Sequence, residues 1–195
     1  MNQETKHLLA LPGSLRRRSY NRRLLEAAAG IAPPGVSVHV YPHADLAAIP
    51  LFDEDLEQET GGGPEAVHRL RREVAAADGL LIATPEYNQS IPGVLKNTLD
   101  WLSRESPVEV LAGKPVAVVG ATAGRWGTRL AQSVVRQVLA ATGARALPAP
   151  QLYAAGAEAL FDEEGHLIDA ATRRQLGAVL DAFAEWIDLV GTRRG

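Results

Sequence analysis

The chain has 195 residues, enough for one domain with a substantial core and too few for two domains of ordinary size. Its formal net charge of −3 argues against general nucleic-acid binding, and the lack of cysteine excludes disulfides, thiolate catalysis and cysteine metal ligands. The polar residues 1–6 and the absence of a long apolar run predict a soluble, cytoplasmic protein with no membrane span.

Short apolar runs alternate with amphipathic stretches along the chain. The first of them predict a strand over His7–Leu11, a helix over Tyr20–Gly30 and a strand over Val36–Tyr41. Residues 42–63 are predicted to be a long irregular segment with an acidic patch. The remaining elements are predicted as helix Pro64–Ala77, strand Gly79–Thr84, helix Pro92–Arg104, strand Pro115–Ala121, helix Trp126–Thr142, strand Ala144–Leu147 and helix Asp169–Val190.

Five strands that alternate with helices predict a single α/β domain over residues 1–195, with a parallel sheet covered by helices on both faces. In such sheets the ligand lies beyond the carboxyl ends of the strands, where the strand order reverses. The loops after the first, third and fourth strands are therefore the candidates for a functional site.

The loop after the first strand, residues 13–21, joins that strand to the start of a helix. Free backbone N–H groups and the helix dipole favour an anion there, and Ser14, Ser19 and Asn21 add hydrogen-bonding side chains. Arginines crowd the same helix end, so a bound phosphate would relieve their repulsion; they are Arg16, Arg17, Arg18, Arg22 and Arg23. The alternative is an ordinary Ser or Asn cap beside a solvated basic surface. The loop matches neither the P-loop nor the G-x-G-x-x-G pattern.

The loop after the third strand is a polar stretch between two prolines, Pro85 and Pro92. The prolines stiffen it, so its backbone groups can recognise the edge of a planar heterocycle, and Tyr87 can cover part of that ring. The alternative is a connecting loop with one exposed aromatic residue.

The loop after the fourth strand is rich in small residues, which let a backbone approach a ligand closely. Arg125 and Trp126 are its large side chains. The alternative is a tight strand-to-helix turn with Thr122 or Thr128 as the cap.

These loops resemble the NADPH-dependent FMN reductase family, which includes quinone, chromate and azo reductases. The resemblance is carried by three stretches: Gly13-Ser14-Leu15-Arg16 with Ser19 and Asn21; Pro85-Glu86-Tyr87-Asn88 through Ser90-Ile91-Pro92-Gly93 to Leu95-Lys96-Asn97; and Leu99-Asp100-Trp101. It covers nearly the whole chain, and the third loop is the loosest match. It implies a flavodoxin-like three-layer sandwich with strand order 2-1-3-4-5.

The resemblance also implies roles for individual residues. Ser14, Arg16, Ser19 and Asn21 would hold the FMN phosphate. Pro85, Glu86, Tyr87 and Asn88 would border the isoalloxazine, and Ala123, Gly124 and Gly127 would line its other side. Arg125, Arg17 and Arg18 are candidate contacts for the phosphate of NADPH.

The expected activity is transfer of electrons from NADPH or NADH, through N5 of FMN, to a small acceptor by a ping-pong mechanism. Candidate acceptors are quinones, free flavins, azo and nitro compounds and metal oxyanions. Because the flavin carries the chemistry, no catalytic side chain and no metal site are expected. The family resemblance implies a homodimer or homotetramer. The rival functions are a flavodoxin-type electron carrier, disfavoured by the arginine-rich loop, and a non-catalytic flavin sensor.

Overall fold

The computed structural model describes residues 5–104 and 109–191. Strands and helices alternate through most of the chain, as predicted. In chain order they are β1 (Lys6–Pro12), α1 (Tyr20–Gly30), β2 (Val36–Val40), α2 (His43–Ala47), α3 (Glu54–Glu59), α4 (Glu65–Ala76), β3 (Gly79–Ala83), α5 (Gly93–Leu102), β4 (Pro115–Ala121), α6 (Arg129–Ala141), β5 (Arg145–Ala146), β6 (Leu152–Ala154), a 3₁₀ turn (Ala157–Ala159) and α7 (Ala170–Val190).

The sheet is parallel, with strand order β2-β1-β3-β4-β5, which confirms the predicted flavodoxin-like order. Successive residues of the central strands point to opposite faces, and both faces are apolar, so each supports its own core. Leu81 and its neighbours on one face pack against α1 and α7. Leu80 and Ile82 on the other face pack against α4, α5 and α6. The three-layer arrangement follows from these two cores.

The fifth strand position is divided between two short strands. β5 pairs with the start of β4, at Pro115 and Val116, whereas β6 pairs with its end, from Val119 to Ala121. The segment Pro148-Ala149-Pro150 lies between them, and proline has no N–H for a ladder. The predicted strand Ala144–Leu147 is therefore shorter than expected, and β6 is an additional strand.

Residues 42–63 are only partly irregular, so the prediction of an irregular segment is corrected in part. They contain α2 and α3, each too short to show a clear helical period in the sequence. Asp53 caps α3, accepting a hydrogen bond from the Asp55 N–H at 2.9 Å. The segment is attached to α5 through Asn97, whose side chain accepts from the Phe52 N–H and donates to the Pro50 carbonyl.

Two helix starts depend on local backbone chemistry. Helix α6 begins at Arg129 rather than at Trp126, because Gly127 has a φ of 70°, which no helix accommodates. The predicted cap of α7 is present, since the Asp169 carboxylate accepts from the Thr172 N–H at 2.7 Å. Over the described ranges, no helix has both the length and the apolar character needed to cross a bilayer.

Candidate functional site

A cleft of about 160 Å³ lies at the carboxyl ends of β1, β3 and β4, where the three predicted loops meet. The structure brings together most of the predicted residues there, namely Ser14, Arg16, Ser19, Asn21, Pro85, Glu86, Tyr87 and Ala123. Tyr20, Ala121 and Thr122 also line it and were not predicted. Asn88, Gly124 and Gly127 are not among the lining residues.

The N-terminus of α1 contributes unsatisfied hydrogen-bond donors to this cleft. Ser19 stands at the N-cap position and is buried, yet its side chain makes no capping hydrogen bond. The first turn has no acidic residue to offset the helix dipole. The Ser14 hydroxyl lies 3.2 Å from the Arg16 amide and is itself buried. This combination favours an anion at the end of the cleft.

Among the five arginines of this region, the structure places Arg16 in the wall of the cleft. Its guanidinium lies over the Tyr20 ring, 5.0 Å from the centroid, and donates to the Arg18 carbonyl at 2.9 Å. Arg22 instead pairs with Glu26 at 2.9 Å. Arg23 packs against Gly165, where an added Cβ would meet its Nε at 2.9 Å. Arg16 is therefore the arginine best placed for a ligand in the cleft.

Asn21 joins the first loop to the fourth strand. Its side-chain amide donates to the Ala121 carbonyl at 2.8 Å and accepts from the Ala121 N–H at 2.9 Å. The pair is buried, so it holds the start of α1 against the end of β4. The geometry thus gives Asn21 a structural role, and its predicted contact with a phosphate stays a prediction.

Glu86 joins the second loop to the third. Its Oε2 atom accepts from the N–H groups of Leu130 and Ala131, at 2.9 and 3.1 Å, in the first turn of α6. The N-cap residue Thr128 makes no side-chain capping hydrogen bond. The carboxylate of Glu86, which belongs to the second loop, caps α6 in its place. A carboxylate at a helix N-terminus is electrostatically favourable, and this one fixes one side of the cleft relative to the other.

The second loop ends in a tight two-residue turn. Tyr87 and Ser90 exchange two backbone hydrogen bonds of 3.0 Å, and Asn88 and Gln89 between them have φ values of 50° and 63°. Two consecutive positive φ values are the mark of a type I′ turn. Asn88 therefore lies at the tip of the turn rather than in the cleft wall. Tyr87 is 49% exposed, and its hydroxyl lies 3.4 Å from the Ser14 hydroxyl.

Gly127 does not line the cleft, and its predicted contact with the ring stays a prediction. It is buried against β6, where an added Cβ would come within 2.9 Å of both Cβ and the carbonyl oxygen of Tyr153. Gly124 also faces this side, since its carbonyl accepts from the Gly156 N–H at 3.3 Å. These glycines attach the third loop to β6, and Ala123 is the residue of this set that reaches the cleft.

A second, larger cavity of about 430 Å³ lies beside the third loop. We call it the arginine groove; its lining residues are Arg125, Trp126, Arg129, Tyr153 and Ala155. The Arg125 guanidinium lies 4.7 Å from the ring centroid of Trp126, and that of Arg129 lies 5.0 Å from that of Tyr153. The predicted substrate contact Arg125 is thus next to the cleft, but in a separate depression.

One group of side chains has the composition of a metal site. The ligand atoms of Asp162, Glu164 and His166 all lie within 4.8 Å of one another. The Asp162 carboxylate already accepts from the Gly165 and His166 N–H groups, both at 2.7 Å, so it stabilises a turn. The group is largely solvent-facing and carries no argument for a bound ion.

The cleft fits a ligand that has a phosphate at one end and a flat ring at the other. The uncapped start of α1, the Ser14 and Ser19 hydroxyls and Arg16 form the anion end. Pro85 and Tyr87 on one side, and residues 121–123 on the other, enclose the remaining space. FMN has both features, so the residues present are suited to hold it.

Comparisons with known proteins agree with this geometry. The profile of the family described as NADPH-dependent FMN reductase matches residues 7–159. A protein of Pseudomonas aeruginosa named NAD(P)H-dependent FMN reductase is 43% identical over 180 residues, which cover 92% of this chain and 94% of that protein. A 2-hydroxy-1,4-benzoquinone reductase of Burkholderia is 39% identical over 175 residues, 90% of this chain and 92% of the relative. The solved structure of a flavoenzyme NAD(P)H:(acceptor) oxidoreductase from Paracoccus denitrificans superposes with a TM-score of 0.85 at 31% identity, covering 96% of this chain and all of that one.

Proposed function

The chain belongs to the NADPH-dependent FMN reductase family, and on that premise we propose that it is a flavoenzyme that moves electrons from a nicotinamide nucleotide to a small acceptor. The observation that carries this proposal is the uncapped N-terminus of α1, which brings buried hydroxyls and Arg16 to the cleft at the carboxyl ends of the strands. Such a helix N-terminus favours an anion, and it lies where a flavodoxin-like sheet binds its cofactor, which supports the proposal.

The residues of the first loop would hold the FMN phosphate. Ser14 and Ser19 supply hydroxyl donors, the first turn of α1 supplies backbone N–H groups, and Arg16 supplies a charged donor. Stacking on Tyr20 keeps the Arg16 guanidinium oriented, which lowers the entropic cost of binding.

The second and third loops would enclose the ring. Pro85 and the type I′ turn after Tyr87 make this wall stiff, and Glu86 ties it to α6, so the two walls keep a fixed separation. When bound, FMN supplies the redox chemistry, since its ring can take a hydride from a nicotinamide and release electrons to a second molecule. The chain's share is to bind, to orient and to leave one open side. Because donor and acceptor would use that side in turn, we propose ping-pong kinetics.

Quinones are the acceptors that we propose first. Relatives at 38–41% identity are named quinone reductases, and the Burkholderia relative is named for a hydroxylated benzoquinone. Free flavins, azo and nitro compounds and metal oxyanions are further candidates, because an open cleft selects weakly among small acceptors.

NADPH is the donor that we propose to be preferred. Its 2′-phosphate would meet cations on the rim of the cleft, of which Arg125 is the nearest to Ala123, with Arg17 and Arg18 as further candidates. A partly exposed phosphate–arginine pair contributes about 1–2 kcal/mol, so we expect a preference of roughly 5- to 30-fold in kcat/KM over NADH. Arg125→Ala should remove most of that preference.

The test is a steady-state panel of acceptors with NADPH and NADH, run on FMN-loaded protein. Cofactor released by heat is expected to run as FMN on chromatography, and quinones are expected to be reduced with parallel initial-rate lines. Recovery of FAD, or failure to bind FMN in titration, would refute the cofactor assignment. An electron carrier or a flavin sensor would bind FMN without nicotinamide-driven turnover, so the same panel separates these alternatives.

We also propose a homodimer in the cytoplasm, where NADPH is available as a donor. Leu51 is 82% exposed although it lies in a segment fixed to α5, which is consistent with a covered apolar contact in an assembly. Light scattering is expected to give twice the protomer mass at micromolar concentration, and a monomer would contradict the assembly without affecting the proposed chemistry.

A further inference from the structure

Two cations, Arg125 and Arg129, line the arginine groove. Over the described part of the chain, neither Arg125 nor Arg129 lies within ion-pair distance of a carboxylate. Both nevertheless line one cavity, where their like charges repel. A dianionic group such as a phosphate monoester would relieve that repulsion and satisfy guanidinium donors on both sides.

The groove also presents aromatic surface. Each guanidinium lies over a ring, Arg125 over Trp126 and Arg129 over Tyr153. Stacking uses the face of the guanidinium and leaves the N–H groups at its edge free to donate. Trp126 is still 69% exposed, so its indole can receive a second flat ring.

The walls of the groove are fixed to each other before any ligand arrives. Gly127 packs directly on Tyr153, and the Thr122 N–H donates to the Ala154 carbonyl at 3.0 Å. The Thr122 carbonyl in turn accepts from the Ala157 N–H at 3.0 Å. Loop and strand therefore move together, which limits the ordering cost of binding.

The groove lies beside the proposed flavin cleft. Ala123 lines the cleft and Arg125 lines the groove, and two residues of backbone span at most about 7 Å. A dinucleotide whose nicotinamide enters the cleft thus has a cationic and aromatic surface within reach of its other end.

We propose that the arginine groove is the binding site for the 2′-phosphoadenosine end of NADPH. Arg129, together with Arg125, contacts the 2′-phosphate, and Trp126 stacks on the adenine. This rests on the proposed function for its donor. It adds Arg129 to the residues that select NADPH over NADH, Trp126 to those that bind the adenine common to both nucleotides, and Tyr153 as the ring beneath the Arg129 guanidinium. The two arginines suit a dianion and Trp126 suits a flat heterocycle, and this end of NADPH carries both groups.

The test is calorimetric titration of FMN-loaded protein with two fragments, adenosine 2′,5′-bisphosphate and 5′-AMP, neither of which reacts. We expect the bisphosphate to bind at least tenfold more tightly than 5′-AMP. Arg129→Gln should weaken the bisphosphate by roughly 5- to 30-fold and leave 5′-AMP within about twofold. Trp126→Ala should weaken both fragments alike, because both carry the adenine.

Arg173→Gln is the matched control, since it removes one exposed arginine from α7, away from the groove lining. It should leave both affinities within about twofold. Equal binding of the two fragments to the parent protein overturns the proposal, as does an unchanged affinity in Arg129→Gln or an equal loss in Arg173→Gln. If NADPH and NADH fail to reduce the loaded protein, the proposed function fails instead, and the fragment affinities still report on the groove.

Discussion

Tyr41 follows β2 and is completely buried in the core between the sheet and α4. Its hydroxyl has no hydrogen-bond partner within the described residues. A buried hydroxyl without a partner has lost its hydration and gained nothing in return. Tyr41→Phe removes that oxygen and keeps the ring, so we expect the variant to be more stable than the parent protein.

The expected gain at neutral pH follows from two opposed contributions. Leaving a buried polar group unpaired costs about 1–3 kcal/mol. Deleting one oxygen leaves a small void, which offsets part of the gain through lost packing contacts. The net increase in the free energy of unfolding should be about 1 kcal/mol.

The same residue gives the stability an alkaline dependence. Burial raises the pKa of Tyr41 to about 12, helped by the negative charges of Glu73 and Asp45 and opposed by Arg69. The unfolded chain ionises near pH 10, whereas the folded chain keeps the proton to about pH 12. The unfolded state therefore binds fewer protons across this window, and stability falls as pH rises through it. By pH 11 the loss amounts to about 1 kcal/mol, and Tyr41→Phe should not show it.

Urea unfolding of the FMN-free proteins, followed by circular dichroism at pH 8 and pH 11, measures both effects. Omitting the cofactor removes the contribution of ligand binding to stability. The advantage of Tyr41→Phe should grow from about 1 to about 2 kcal/mol between the two pH values. A variant less stable than the parent at pH 8, or an advantage that does not change with pH, would refute this reasoning.

Five further substitutions test the site and its supports. Arg16→Ala should weaken FMN binding by about 1.5–3 kcal/mol in a flavin-fluorescence titration and Arg17→Ala by less; equal affinities for Arg16→Ala and the parent protein would remove Arg16 from the phosphate site. Glu86→Ala should lower the free energy of unfolding by about 1 kcal/mol, because α6 loses its only side-chain cap among the described contacts; an unchanged melting curve would speak against the cap. Gln89→Gly should raise stability by about 0.5 kcal/mol in urea, since glycine adopts its φ of 63° without strain, and a destabilised variant would contradict that account. Asn97→Ala should cost about 1–3 kcal/mol in the same assay by leaving the Phe52 N–H without its partner, whereas the Pro50 carbonyl still accepts from the Trp101 indole N–H; a loss below 0.5 kcal/mol would show that the segment is held by other contacts.

The parallel sheet and the position of the cleft could be anticipated because they depend on long, strongly patterned segments, whereas the strand order was anticipated only through the family resemblance. Apolar runs such as 79–83 and 115–121 have the length and composition of buried parallel strands, and parallel strands place their carboxyl ends at one edge. Three loops following such strands therefore had to converge. Helices α2 and α3 and strand β6 escaped prediction because each is shorter than the window in which a period can be recognised.

Individual roles within the cleft were harder to anticipate, because they depend on partners far away in the sequence. Asn21 forms hydrogen bonds with the Ala121 backbone, and Glu86 accepts two from the start of α6. Both side chains could bind a ligand by their chemistry, yet in the structure they hold the loops around the cleft together. The missing Cβ of Gly127 allows the close approach of Tyr153, and the close approach of a ring that was expected at this glycine stays a prediction. A glycine at this position indicated a close contact, but the sequence alone did not show that Tyr153 makes it.

The division of the fifth strand has a consequence for how the protein behaves at high concentration. An exposed sheet edge can recruit a strand from another molecule, because its unpaired N–H and C=O groups form a ready template. Here that edge consists of pieces of two and three residues, separated by Pro148 and Pro150, which have no N–H to offer. An incoming strand would find its ladder interrupted after one or two bonds, too few to repay the entropy of its ordering. The proline break thus protects this edge of the sheet against pairing with another molecule, and it is the edge at which β6 supports the arginine groove.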